Sequence, residues 1–206
     1  FSTETGEPLA ILNDGHLQHM RVGAAAGVGA RLLARTDAQR VGLIGAGGMA
    51  RTVLEALVAV RPISEARVYS RTPENTARFA ATMAAELGIK VEAVARAREA
   101  ARGADILATA TDSLLPVVEA AWLEPGMHVV QIGPHDLHPD CAQRIDLAVR
   151  QGRETLDLPD DPHYRRDIAG SRGAFVGGTA AQQARLPKTK PKARARVFAA
   201  LGDKTR

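Results

Sequence analysis

The sequence predicts an α/β protein built on a doubly wound parallel sheet. Strand-length apolar segments alternate with helically periodic ones between residues 40 and 132, and the first such strand runs directly into Gly45-Ala46-Gly47-Gly48-Met49-Ala50. Aromatic residues make up only 3% of the chain and alanine is abundant, a composition suited to helices lying close on a sheet of small residues. Such alternation favours parallel strands, because each parallel connection needs a crossover and a helix supplies it. With 206 residues and 45% hydrophobic content, the chain can bury one full core and part of a second.

Taken in order, Phe1 to Leu12 alternate like a strand broken by a turn at Thr5-Gly6-Glu7-Pro8, so an opening hairpin is expected. Asp14 to Arg35 reads as a helix: Asn13 and Asp14 are suitable caps, and Met20, Ala24, Val28, Leu32 and Leu33 recur at helical spacing. Its small residues suit close packing against a neighbour. Arg40 to Ile44 is a short apolar strand, and Ala50 to Val60 has helical apolar spacing, which completes a first βα unit. Pro62 and Ser64 mark a turn before a second strand at Ala66 to Tyr69, and Pro73 to Leu87 form a helix stopped by Gly88. Lys90 to Val94 is a weaker strand, Ala97 to Arg102 a helix stopped by Gly103, and Ile106 to Ala110 a fourth strand. A turn and a short helix then lead through Gly126 to a fifth strand at His128 to Ile132, and Ile145 to Val149 could add one more. Leu158 to Arg172 is expected to be mainly loop, and the chain from Ala180 weakly helical with breaks at Pro187 and Pro191.

Composition narrows the functional classes. Cys141 is the only cysteine, so the chain has no internal disulfide framework and no paired-cysteine zinc site, and no bound metal is expected. No run of eighteen apolar residues occurs and the first residues lack the order of a secretion signal, which gives the expectation of a cytoplasmic protein with no membrane partner. The chain begins at Phe1 within an already patterned segment, so a piece of a longer protein is expected. The formal net charge is +4, but the stretch from Arg185 holds eight basic residues against Asp203 alone, leaving the remainder acidic. Without aromatic residues to stack on bases, that tail is read as a solvated end, and no nucleic-acid partner is expected.

A strand that enters Gly45-x-Gly47-x-x-Ala50 and then a helix is what a pyrophosphate needs. Gly45 permits the tight turn, Gly47 lets the backbone approach phosphate oxygens, and Ala50 is small enough for helix and strand to pack. The helix start brings unpaired N–H groups and partial positive charge to the same place, alongside Ala46, Gly48 and Met49. This makes the fold Rossmann-type and the expected ligand a nicotinamide dinucleotide. An acidic residue at the end of the second strand would favour NAD(H), whereas this chain has Ser70-Arg71-Thr72, whose guanidinium and hydroxyls suit a 2′-phosphate. NADP(H) is therefore the expected preference, with NAD(H) as the second choice. Thr109, Thr111 and Ser113 follow the fourth strand, where they either border the ribose and nicotinamide or cap a helix starting at Leu114. Ile132-Gly133-Pro134-His135-Asp136 ends the fifth strand, and Ile132 is placed against the cofactor while His135 and Asp136 are candidate proton-transfer groups.

The order of these features resembles the ornithine cyclodeaminase and mu-crystallin family. The likeness runs through Thr5-Gly6-Glu7-Pro8-Leu9-Ala10, Arg21 with Gly23-Ala24-Ala25, the Gly45 loop, Ser70-Arg71-Thr72-Pro73-Glu74-Asn75, Ala104-Asp105-Ile106, Thr109 to Ser113 with Pro116, and Pro125-Gly126 to Ile132-Gly133. It implies a dinucleotide domain at residues 36–150, set between parts of a substrate and dimerisation domain at 1–35 and 151–206, in a homodimer whose substrate lysine lies outside this chain. It further implies that Arg21 binds a substrate carboxylate, and that hydride moves to or from the carbon of a C–N or C=N group beside it in an amino acid or cyclic imine. The family's catalytic aspartate falls at His135 by strict spacing, with Asp136 one place later. The family's glycine and arginine signature near the C-terminus is not recognisable, while Val197 to Gly202 resembles its closing segment. Two other readings are a shikimate-dehydrogenase-like NADP reductase, against which the opening segment and Arg21 argue, and a non-catalytic binder of the crystallin type.

Overall fold

A computed structural model describes residues 1–150 and 195–199. Its strands are β1 (Arg40–Ile44), β2 (Glu65–Tyr69), β3 (Lys90–Ala93), β4 (Ile106–Thr109), β5 (His128–Gln131), β6 (Ile145–Arg150) and β7 (Ala195–Ala199). The helices are α1 (Gly15–Leu33), α2 (Gly48–Val60), α3 (Pro73–Leu87) and α4 (Ala97–Ala101). The strands form one seven-stranded parallel sheet in the order β3-β2-β1-β4-β5-β7-β6. Every residue of β4 and β5 is buried, as is β1 from Val41 onward; β1 and β4 accordingly read as nearly apolar runs, while β5 buries His128 and Gln131 at its ends. At the edge, β3 leaves Lys90 and Glu92 exposed, and charge there discourages pairing with a further strand.

Three local expectations are corrected. The opening residues form a turn at Thr3–Thr5 and no hairpin: Ser2 exchanges backbone bonds with Gly6 and Glu7, and its Oγ accepts the N–H groups of Glu4 and Thr5. Local side-chain bonds there replace a strand ladder. The short helix expected before Gly126 is a single 3-10 turn at Ala120–Trp122. Ala195–Ala199, within the stretch expected to be weakly helical, is β7, because the free edges of β5 and β6 offer it hydrogen bonds on both sides. The loop expected at Leu158 to Arg172 lies outside the described residues.

Helix α1 turns the other way from its apparent stripe. Val22, Gly23, Ala26, Gly27 and Ala30 are buried, whereas Met20, Val28 and Leu32 remain about half exposed. The small residues win the interior because they let α1 lie against α2: a Cβ on Gly23 would come within 2.5 Å of the Thr52 carbonyl oxygen. Thr52 Oγ1 seals the contact by donating to the His19 carbonyl at 2.7 Å. Arg61, just past α2, then donates to the carbonyls of Arg31, Ala34 and Arg35 at 2.8–3.0 Å, supplying partners that the end of α1 lacks.

Asp105, just before β4, fastens the N-terminal ends of the central strands β1 and β4. Its side chain is only 9% exposed, accepting from Arg35 at 2.5 Å and from the backbone N–H groups of Gln39 and Arg40 at 3.0 Å each. Burial pushes this carboxyl upward, but the two N–H donors and the Arg35 and Arg40 guanidinium groups outweigh it and hold it below the usual value. The stabilisation is complete above the unfolded value of about 3.9 and is lost as pH falls through the lower folded one. Asp105→Asn is expected to cost about 2 kcal/mol in urea unfolding at pH 7. The gap from wild type should narrow below about pH 4; an unchanged gap at pH 3 would exclude the charge as its origin.

Cys141 sits in the 3-10 segment Pro139–Arg144, 1% exposed. Burial pushes its thiol up to about 12. A thiol-disulfide reagent at pH 8 should therefore leave the native protein untouched and titrate this cysteine only after denaturation.

Candidate functional site

The sheet grows in opposite directions from β1, with β2 on one side and β4 on the other, so the loops leaving these strands diverge at a crevice above β1. Gly45 turns the chain there at φ 118°, donating its N–H to the Tyr69 carbonyl at 2.8 Å, and a Cβ on it would collide with the Ala110 carbonyl oxygen. Only glycine meets both demands. Gly47 differs, since its φ of −98° suits any residue and nothing lies within 4 Å of where its Cβ would stand. It bounds open space in front of α2, a helix whose N-terminus receives no side-chain cap, so its first N–H groups face that space. Ala46 and Met49 are partly buried against the core, Ala50 is fully buried, and the His19 imidazole covers Gly48. The cradle fits a diphosphate: backbone donors, open space beside Gly47, and no acidic residue in the first turn of α2.

Beside it, the loop after β2 presents Ser70, Arg71 and Thr72. Ser70 Oγ lies 2.7 Å from Thr76 Oγ1 and 3.3 Å from the Thr72 carbonyl, so its hydroxyl already serves the start of α3. Thr72 occupies the N-cap of α3 with no side-chain bond, and Glu74 stands in the first turn. Arg71 is 86% exposed and its guanidinium is 3.6 Å from Asp112, which comes from the loop after β4.

The loops after β4 and β5 are joined by a buried carboxylate. Asp136, with no exposed surface, accepts from Thr111 Oγ1 at 2.6 Å and from the Gly133 N–H at 3.0 Å. Thr111 Oγ1 in turn accepts the Ser113 N–H at 3.2 Å, and no helix begins at Leu114, so the capping alternative for Thr111 to Ser113 is excluded. Thr109 is corrected as a crevice residue: it is fully buried, with Oγ1 turned to the Val130 carbonyl at 3.5 Å. Ile132 is 8% exposed, while His135 is half-buried in the same loop. Arg21 is exposed on α1, two residues from His19 and so on a different face of the helix. Sequence reasoning passed over His19 and weighed Asp112 only as part of a helix cap; Asp112 carried a signal, being the first charge after the fourth strand. Among the described residues no cluster of His, Cys, Asp and Glu suits a metal ion, and no helix is long and apolar enough to cross a membrane.

A parallel sheet with a glycine turn and an uncapped helix at its switch point defines a Rossmann-type domain. A sequence profile of the ornithine cyclodeaminase/mu-crystallin family matches residues 1–157, and the chain belongs to that family. A Rhizobium meliloti relative named as a dehydrogenase is 44% identical over 169 residues, covering 79% of this chain and 51% of its own. The Delta(1)-pyrroline-2-carboxylate reductase of Bacillus cereus is 38% identical over 130 residues, 63% of this chain and 40% of its own. The Thermococcus litoralis Delta(1)-pyrroline-2-carboxylate reductase, solved with NADH and L-proline, superposes with a TM-score of 0.77 at 30% identity over 98% of this chain and 64% of that one. The chain spans about half the length of the curated relatives it matches.

Proposed function

We propose that this chain is the dinucleotide-binding part of an NAD(P)-dependent oxidoreductase that acts at the C–N or C=N carbon of an amino acid or cyclic imine. The observation that carries the reading is Gly47, in the Gly45–Met49 loop, bordering open space before an uncapped α2. In this reading the backbone of Gly45, Ala46, Gly47, Gly48 and Met49 holds the diphosphate, and Ser70, Arg71 and Thr72 border the adenosine ribose, where Arg71 favours NADP(H). Thr111 and Ile132 flank the nicotinamide end. A bound nicotinamide dinucleotide would supply or accept the hydride. The chain's own part is to place an imidazole, His135, in the loop after β5 to hold or release the accompanying proton, and a guanidinium, Arg21, to receive the substrate carboxylate.

The remaining organisation belongs to the same proposal. Residues 1–35 and 151–206 are read as portions of a substrate and dimerisation domain around a dinucleotide domain at 36–150, in a cytoplasmic homodimer. The exposed apolar side chains of Leu17, Met20, Val28 and Leu32 on α1 support a further covering surface.

The first test is a fluorescence titration with NADPH and NADH. Wild type should bind, and Gly47→Ala should weaken both by about tenfold or more with an unchanged unfolding curve, because its methyl group enters ligand space and has no protein atom within 4 Å. Absence of binding by wild type would overturn the reading. One observation favours a second reading, a binder without turnover: both oxygens of Asp136 are already taken by protein donors. Dinucleotide binding with no oxidation or reduction of cyclic imino acids would support it.

A further inference from the structure

We infer that Asp112 sets the cofactor preference of this domain, by competing with a 2′-phosphate for Arg71 and by accepting a hydrogen bond from a free ribose 2′-hydroxyl. The inference rests on the dinucleotide reading above and deepens it.

Domains of this fold that take NAD(H) usually carry an acidic residue at the end of the second strand, in contact with the ribose. Here that place holds Ser70-Arg71-Thr72, which by itself selects for phosphate. The structure adds what the linear order hides, since the loop after β4 brings Asp112 Oδ1 to 3.6 Å from the Arg71 guanidinium. The two loops belong to strands on either side of β1, so the pair spans the crevice beside the Gly45 turn. An acidic group is thus present near the end of β2 after all, delivered from a different strand.

Its consequences differ between the two cofactors. A 2′-phosphate approaching Arg71 must displace Asp112 or sit beside it, and like charges at such separation repel. A 2′-hydroxyl meets no such cost and finds a carboxylate able to accept its proton. Glu74, in the first turn of α3, adds to the negative side. Both partners of the pair are more than 85% exposed, so water and salt screen the effect and it is modest. Arg71 is the attraction for phosphate and Asp112 the brake on it, which makes the domain able to use either cofactor.

The test compares NADPH and NADH dissociation constants for wild type, Asp112→Asn, Arg71→Ala and the double variant in low-salt buffer, with thermal unfolding run on each. Asp112→Asn should raise the preference for NADPH by about three- to tenfold, tightening NADPH and weakening NADH, with an unchanged melting temperature. Arg71→Ala should lower the preference, and the double variant should differ from the sum of the two single changes, because the residues interact. A ratio within twofold of wild type for Asp112→Asn, in protein that binds both cofactors, would overturn the inference alone. Wild-type protein that binds neither would overturn the dinucleotide reading and this inference together. Asp112→Ser provides a second neutral substitution; it should shift the ratio in the same direction, and a shift in the opposite one would count against the charge as the cause.

Discussion

Gly45→Ala should destabilise the protein by about 4 kcal/mol in urea unfolding, the sum of backbone strain and of a methyl group forced into a carbonyl. Two separate constraints meet at this residue. Its φ of 118° is one that side chains rarely tolerate, and the Ala110 carbonyl oxygen already occupies the Cβ position. Neither is relieved by rotating a side chain, because the obstacle is the backbone of the chain leaving β4, held by the Ala110 N–H bond to the Ile44 carbonyl at 2.8 Å. Relief requires β1 and β4 to part at their C-terminal ends. A loss below about 1 kcal/mol would mean that the loop readjusts, and the assignment of Gly45 as the pivot would be wrong.

Asp136→Ala should cost about 3 kcal/mol, since it strands two donors that have no other partner among the described residues. The Gly133 N–H and the Thr111 hydroxyl both end on this carboxylate, and Gly133 has no room for a side chain because the Asp136 oxygens stand 2.6 and 2.7 Å from its Cβ position. Asp136→Asn retains one acceptor oxygen and should recover roughly half of the loss. Hydrogen exchange at Gly133 provides the local readout: it should speed up in both variants, more in alanine. Equal stability of wild type and Asp136→Ala would show that the loops are held elsewhere.

Asp136 also illustrates how far the sequence could be read. As a carboxylate beside His135 after a strand, it has the appearance of a proton-transfer group, and nothing in the linear order says that Thr111, twenty-five residues earlier, donates to it. Thr109 misleads in the same way: a threonine at a strand's end suggests an exposed hydroxyl, yet its side chain faces the neighbouring strand. Helix α1 gives a third example. Its large apolar residues have helical spacing, but its glycines and alanines occupy the interior, because the backbone of α2 at Thr52 already stands where a side chain on Gly23 would be.

What the sequence determined by itself is what depends on neighbours along the chain. The β1–α2 unit, the glycine turn, the stops at Gly88 and Gly103 and the succession of buried strands follow from local dihedral preferences and from apolar periodicity, both short in range. Tertiary structure alone decided which face of α1 is inside, that Ala195–Ala199 enters the sheet between β5 and β6, that Asp136 ties two loops together and that Asp112 meets Arg71. Each of these depends on hydrogen bonds, charges or packing between residues far apart in sequence, and such pairings exist only once the strands have been laid side by side.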